Sequence, residues 1–486
     1  MRLPRNYLLS FLLGALLNTT FAPFSFLPIV IISFSGLIFL LNSSLSNKFN
    51  IGWYFGFGQF TFGLYWICNS LFIEIASFWW LVPIALTLIP AILSIYTGIV
   101  CWLFSKYSTK TPLDILLFSS LWVLTEYVRG KFFLPFPWNL TGYTLAPFDR
   151  LSQIASIIGV YGMSFLVVSF ATSAYYIASS PRKVLAYSIF CLIPLITFTY
   201  GKYRLELPTQ FTDYTIRLVQ PNIEQKLKWL NHERQNHLFK QLNLTKDNQP
   251  QDLKLIIWPE AAINYNIEST KFREFITSSI PENSILILGG IHTKGKKFYN
   301  SIFALSKKGD IIDYYDKRQL VPFGEYLPFG DLGIPIISKY FLQGFSAGLL
   351  EKTFHLPDFP SFTPLLCYEV IFNELISKNV PRGTWILNIT NDAWFGKSSG
   401  PYQHLAMAKI RAIEQGLPLV RVANTGISVI FDPFGRELVK TKLNETTVID
   451  YKLPTSLPPT LFSKFANLPI ILLSILIIIF SSRKKL

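Results

Sequence analysis

Apolar residues crowd the two ends of this 486-residue chain and thin out between them. Over the first 205 residues they form long runs broken only by short polar stretches, at about 6–22, 25–42, 51–75, 79–105, 112–128, 154–178 and 184–200. An eighth run covers 467–482. Roughly 20 such residues cross a ~30 Å hydrocarbon core as a helix, so the pattern predicts about eight transmembrane helices. The fifth run is the weakest, being short and carrying Asp114, Glu126 and Arg129 near its ends. Glu74 and Glu126 read as interfacial, with Glu126 near Arg129. Arg2 and Arg5 ahead of a Leu-rich segment would also suit a secretory signal, but no clear A-x-A site follows and further runs come directly after.

Residues 206–466 have a different rhythm. Short Val/Ile/Leu-rich runs stand at 215–223, 253–260, 284–291, 298–306, 311–317, 363–371, 384–390 and 418–432. Such runs predict strands buried on both faces. Helices are expected at about 229–243, 268–279, 370–379 and 401–416, the last carrying Arg411 and Glu414 three residues apart, able to meet on its surface. The expected organisation is a seven-span domain (1–205), an α/β domain (206–466), and a C-terminal span with a short tail (467–486).

Composition sharpens this. Half the chain is hydrophobic and only 15% is charged, against about 25% in an ordinary soluble domain. The net charge is +15, which would suit nucleic acid or an anionic surface. Its placement decides against nucleic acid. Residues 206–466 hold 29 Lys/Arg and 25 Asp/Glu, whereas the apolar remainder holds 15 and 4. Among short loops, one side of the membrane receives ten basic residues and the other five. With the basic side inside, both termini are cytoplasmic and the α/β domain is exported.

Cys68, Cys101 and Cys191 fall in apolar runs, leaving Cys367 alone in the α/β domain. The five histidines lack the spacing of a metal site, and Gly289-Gly290 lacks a dinucleotide or P-loop fingerprint. The sequence therefore calls for no metal and no cofactor.

Three strand ends carry candidate chemistry: Glu260 in IIWPE, Lys317 and Glu325 in YYDKRQLVPFGEYLP, and Cys367 in PLLCYEVIF. Singly, each has a structural reading: a solvated turn, an exposed edge, a loop charge, and a packed thiol followed by Glu369 at a helix start. Together they place a base, a cation and a nucleophile on a rigid scaffold. A thiol of pKa ~8.5 needs both a base and a positive field to act near neutrality.

The succession WPE, DKRQLVPFGEYLP, LLCYE and NITNDAWFG resembles the nitrilase superfamily with its Glu–Lys–Cys triad. The flanking spans and the LVPFGE loop resemble its membrane-embedded branch, the apolipoprotein N-acyltransferases, over essentially the whole chain. The resemblance implies a bacterial inner-membrane enzyme with an αββα sandwich in the periplasm. That enzyme would move an acyl chain from a phospholipid to the N-terminal amine of a diacylglyceryl apolipoprotein. It assigns Glu260 as base, Lys317 as electrophile and Cys367 as nucleophile, with Glu325, Glu369 and Tyr368 in support. Trp229 is matched to substrate accommodation, and Trp394 is a candidate wall of the same cleft. The apolar, Gly/Pro-containing segment 322–350 reads as a lid over a lipid channel. Two alternatives stay open: a membrane-anchored amidase with the same triad, and a non-catalytic scaffold or transporter.

Overall fold

The computed structural model describes residues 5–73, 75–132, 134–328, 344–376 and 380–483. Glu74 lies outside them. The chain forms two compact units that do not follow continuous stretches: residues 1–208, 397–415 and 459–486 make the first, and 209–396 with 416–458 the second. Helix Gly400–Gln415, expected inside the α/β domain, thus belongs to the helical unit.

Each of the eight apolar runs contains a helix, from Arg5–Leu17 to Leu468–Arg483. Among the described residues three helices are long and apolar enough to cross a membrane: Leu81–Tyr107, Ala155–Ser179 and Val184–Leu205. Ile29–Ser43 and Leu468–Arg483 are apolar but shorter, so helix length alone does not establish eight spans. The third run is not one helix. Lys48–Leu64 gives way to a 3₁₀ turn at Tyr65–Ile67, where the Trp66 indole donates to the Gly63 carbonyl at 3.1 Å. This helix lies close against Arg5–Leu17, and a Cβ on Gly14 would stand 1.9 Å from the Phe55 carbonyl oxygen. Small residues let helix backbones approach where no hydrophobic drive between helices operates.

Two charged pairs sit deeper than expected. Glu126 is buried, and its Oε1 accepts from the Thr141 amide at 2.7 Å and the Trp122 indole at 3.0 Å. Buried Arg129 donates to the Phe136 and Trp138 carbonyls, both at 2.8 Å. Arg411 and Glu414 meet at 3.0 Å inside the unit, with neither side chain exposed. The cause is a local break. At Gly159 the helix Ala155–Ser179 takes a φ of 63°, and Glu414 accepts the freed Val160 amide at 2.8 Å. A buried backbone donor needs such a partner.

The second unit is built on two six-stranded sheets. In chain order the strands are β1 (Phe211–Gln220), β2 (Leu253–Ile257), β3 (Ile285–Lys294), β4 (Lys297–Leu305), β5 (Ile311–Asp316), β6 (Phe354–Leu356), β7 (Phe359–Leu366), β8 (Trp385–Thr390), β9 (Leu419–Ala423), β10 (Val429–Phe431), β11 (Glu437–Lys440) and β12 (Thr447–Pro454). One sheet runs β12-β1-β2-β3-β4-β5 and the other β11-β10-β9-β8-β7-β6. β1, β2 and β3 are parallel, as are β7, β8 and β9. Alternation does the packing. Ile216, Leu218, Leu255 and Ile257 share one core with Leu366, Leu387, Val420 and Val422 of the other sheet. Val219, Ile256, Leu286 and Leu288 pack instead with Leu238, Leu242 and Ile276, from helices Arg234–Lys246 and Thr270–Thr277. The α/β sandwich is therefore present.

One expected element is not. The helix predicted at 370–379 is replaced by 3₁₀ turns at Cys367–Ile371 and Asn373–Leu375, with 377–379 outside the described residues.

Candidate active site

The candidate residues stand just past the carboxyl ends of β2, β5 and β7. Beyond β2, backbone pairing continues irregularly. Trp258 N donates to Ile287 O at 2.8 Å, Gly289 N to Pro259 O at 3.2 Å, and Ala262 N to Gly289 O at 2.9 Å. Glu260 lies within this turn, before Ala261 at φ 46°. The turn closes tightly on Gly289, where a Cβ would meet the Ala261 nitrogen at 2.6 Å and Glu260 Cα at 2.7 Å. Only a residue without a side chain fits there. Lys317 follows β5 directly, its amide bound to the Asn300 carbonyl of β4 at 2.9 Å. Cys367 follows β7 in the left-handed region, φ 51°, where a non-glycine residue costs roughly 1–2 kcal/mol. Asn388 Nδ2 holds the Cys367 carbonyl at 3.4 Å and the Leu365 carbonyl at 3.0 Å.

The side chains converge on Lys317. Its ammonium, 1% exposed, lies 2.8 Å from Glu325 Oε1 and 3.6 Å from Glu260 Oε1. Asn300 Nδ2 donates to both carboxylates, at 2.9 Å to Glu260 and 3.0 Å to Glu325. Glu325 Oε2 in turn accepts the Val321 amide at 2.8 Å. Burial works against the lysine charge, but Glu325, Glu260 and Cys367 outweigh it and raise the Lys317 pKa above its ordinary value. Lys317 is a fixed cation. Burial, then the Glu260 charge, pushes the Cys367 thiol up, against the opposing pull of Lys317 and a hydrogen bond with Thr390. At rest Cys367 is a thiol, and any nucleophilic use of it calls for a base beside it.

Glu369 plays a different part from the charged cluster. Fully buried, its Oε1 accepts from Tyr315 Oη at 2.8 Å, Arg318 N at 2.7 Å and Gln319 N at 3.1 Å, while Oε2 accepts from Leu366 N at 2.7 Å. One carboxylate thereby ties the chain after Lys317 to the chain before Cys367. Tyr368 is buried and packs edge-on to Phe372 at 5.1 Å. Trp229 and Trp394 are each 42% exposed. Trp229 lines a cleft of about 400 Å³ with Lys228, Pro259 and Ala261, whereas Trp394 lies on the separate turn Asp392–Phe395. Most of the expected lid, 329–343, lies outside the described residues. Its flanks are tied to the site: Ser346 N donates to Phe298 O and Gly348 N to Lys317 O, both at 2.8 Å.

Sequence reading missed Asn300 and Lys228, both buried beside the cluster. It also missed the pair Arg421–Asp392, at 2.6 Å with neither side chain exposed, whose Asp392 Oδ1 accepts from Thr390 Oγ1 at 3.0 Å. The available signal was a polar residue inside an apolar strand, as at Asn300 in FYNSIFAL and Asn388 in WILNIT.

Residues 13–173 match the apolipoprotein N-acyltransferase N-terminal domain, and residues 215–457 match the carbon-nitrogen hydrolase family. The apolipoprotein N-acyltransferase of Rickettsia typhi is 40% identical, the alignment covering 96% of each chain. That of Rhodopseudomonas palustris is 35% identical over 99% of this chain and 95% of its own. Among solved structures, an amidase from Nesterenkonia sp. aligns with 51% of this chain and 93% of its own, at 18% identity and a TM-score of 0.39.

Proposed function

The chain belongs to the apolipoprotein N-acyltransferase family, and from that premise we propose how its residues carry out acyl transfer. The enzyme moves an acyl chain from a membrane phospholipid to the N-terminal amine of a diacylglyceryl-cysteine apolipoprotein, through a thioester on Cys367. Glu260 takes the thiol proton, and the thiolate attacks the ester carbonyl carbon. Lys317, with a backbone N–H near Tyr368, stabilises the oxyanion. As the tetrahedral species collapses, the glycerol oxygen leaves with the proton held by Glu260, releasing a lysophospholipid. The lipoprotein amine then attacks the thioester, gives a proton to Glu260 and expels the Cys367 thiolate as the amide forms.

Glu325 and Asn300 hold Lys317 and Glu260 in this arrangement, and Glu369 fixes the loops that carry Lys317 and Cys367. Trp229, Trp394 and the 322–350 segment are assigned to the lipids. Both substrates are lipids that leave a bilayer only at ~0.8 kcal/mol per CH₂, which gives the apolar helices their purpose. The full topology proposed is eight spans in a bacterial inner membrane, an exported stretch of residues 206–466 that carries the catalytic unit, and both termini in the cytoplasm.

The observation that carries this reading is the charge cluster: one buried ammonium between two carboxylates, beside a thiol that needs a base. Mass spectrometry of the detergent-purified protein incubated with phospholipid tests it. An acyl adduct on the Cys367 peptide, discharged by a lipoprotein amine and missing in Cys367→Ser, is the expected result. Turnover of small amides without any such adduct would favour an amidase instead.

A further inference from the structure

A second buried lysine stands beside the reacting groups without a part in that chemistry. Lys228 is 6% exposed, and its Nζ donates to the backbone carbonyl of Glu260 at 3.1 Å. The neighbouring Pro259 and Gly289 carbonyls are bound by backbone amides, at 3.2 and 2.9 Å. The Glu260 carbonyl receives its hydrogen bond from Lys228, immediately before the left-handed Ala261. The lysine itself is placed by a turn of its own, with its amide bound to the Glu224 carbonyl at 3.1 Å. Its neighbour Trp229 faces the cleft.

We propose that Lys228 is a positioning residue for the proton transfer between Cys367 and Glu260. Its ammonium anchors the turn that presents the Glu260 carboxylate, and it adds a second positive charge facing the thiolate as that forms. The inference rests on the thioester reaction proposed for Cys367.

The charges around Lys228 make the role testable by pH. Burial lowers its pKa to about 8, while Glu260 and Cys367 act to keep it charged. The pKa of Lys240, which with Lys228 acts on His237, is likewise lowered by its burial. Burial lowers the His237 pKa below its ordinary value of 6.5. Lys317 and Cys367 are both raised above theirs. Arg234 lines the same cleft. An alkaline limb near pH 8 in the rate of thioester formation that disappears when Lys228 alone is replaced belongs to Lys228.

The test follows thioester formation from phospholipid by quenched mass spectrometry, in the wild type, Lys228→Met and Lys228→Arg. Lys228→Met is expected to slow the step on the order of 100-fold at neutral pH, with no limb near pH 8. Lys228→Arg keeps the charge and the donor, and should recover most of the rate while losing the limb, since a guanidinium does not deprotonate. Wild-type rates in Lys228→Met, or an alkaline limb near 8 persisting in Lys228→Arg, would overturn the assignment. If Lys228→Met fails to fold in detergent, the Lys228→Arg profile decides alone. A wild-type protein that forms no thioester is a distinct outcome: it removes the functional reading, and this inference falls with it.

Discussion

The surroundings of Cys367 keep its thiol quiet. Burial and the Glu260 carboxylate both favour the protonated thiol, and Lys317 only partly offsets them. A thiolate standing free in an oxidising compartment would be exposed to sulfenic and disulfide chemistry. In the mechanism proposed, a thiol activated only when Glu260 accepts its proton would be protected between turnovers. Glu260→Gln should therefore have two opposite effects. Removing the carboxylate charge lowers the thiol pKa, so iodoacetamide should alkylate Cys367 faster at a given pH. Thioester formation from phospholipid should meanwhile fall by roughly 10²–10⁴-fold, the usual worth of a general base. In the wild type the alkylation rate should keep rising through alkaline pH, because the thiol pKa is raised above its ordinary value. Parallel losses of alkylation and acylation in Glu260→Gln would show that the carboxylate merely supports the fold.

At the scale of elements, the site depends on the turns that close three strands rather than on the strands themselves. β2 and the end of β7 were legible because buried parallel strands read as apolar runs, and β5, an antiparallel edge strand, from its Ile/Tyr-rich IIDYYD; Glu260, Lys317 and Cys367 stood at their ends in the sequence. The strands β6, β11 and β12 were not, since β6 is three residues long and ELVK and TVIDYKLP are largely half-exposed. The helix expected after Cys367 gives way for a physical reason. Glu369 was read as a charge near a helix start, but its carboxylate instead binds Leu366 N, Arg318 N and Gln319 N, which holds the chain in a tight 3₁₀ turn. Asn300 and Lys228 act through contacts distant in sequence, to Glu260 forty and thirty-two positions away, and no local pattern encodes those. Gly289 is similar. It looked like a failed nucleotide fingerprint, yet its role is steric. A Cβ there would press on backbone at 2.6 and 2.7 Å, with no side chain to swing aside. Gly289→Ala should therefore lower stability by about 1–3 kcal/mol, seen in thermal unfolding in detergent. It should also cut thioester formation more than tenfold by displacing Glu260, roughly the loss expected of a misplaced reacting group. Wild-type acylation in a destabilised Gly289→Ala would separate the turn's stability from its catalytic geometry.

At the scale of the whole molecule, the charge distribution is the remaining guide to orientation. The net +15 is concentrated in the apolar part of the chain, where 15 Lys/Arg face only 4 Asp/Glu. Basic residues in short loops are retained on the cytoplasmic side during insertion, whereas long domains cross largely regardless of charge. The near balance of residues 206–466, at 29 against 25, therefore says nothing about their side. The clusters at Lys48, Lys106 with Lys110, Arg182 with Lys183, and Arg483 with its neighbours do. Summed over the short loops, their side carries ten basic residues against five on the other, and both termini on that side require an even number of crossings. Helix length falls short of showing those crossings, because Arg5–Leu17 and Leu468–Arg483 are only 13 and 16 residues long. Short spans are accommodated by local thinning of the bilayer or by flanking residues reaching for the interface, and Arg483 stands at the end of the last helix. Reporter fusions decide the matter. Alkaline phosphatase joined after Leu207 should be active, since it folds only after export, and inactive when joined after Ser46, Lys110 or Arg182. A fluorescent protein that matures only in the cytoplasm should give the reverse pattern, and should also glow when fused after Leu486. Phosphatase activity after Leu486 would leave the chain with an odd number of spans, and an inactive fusion after Leu207 would place the thiol on the wrong side of the membrane for an exported lipoprotein.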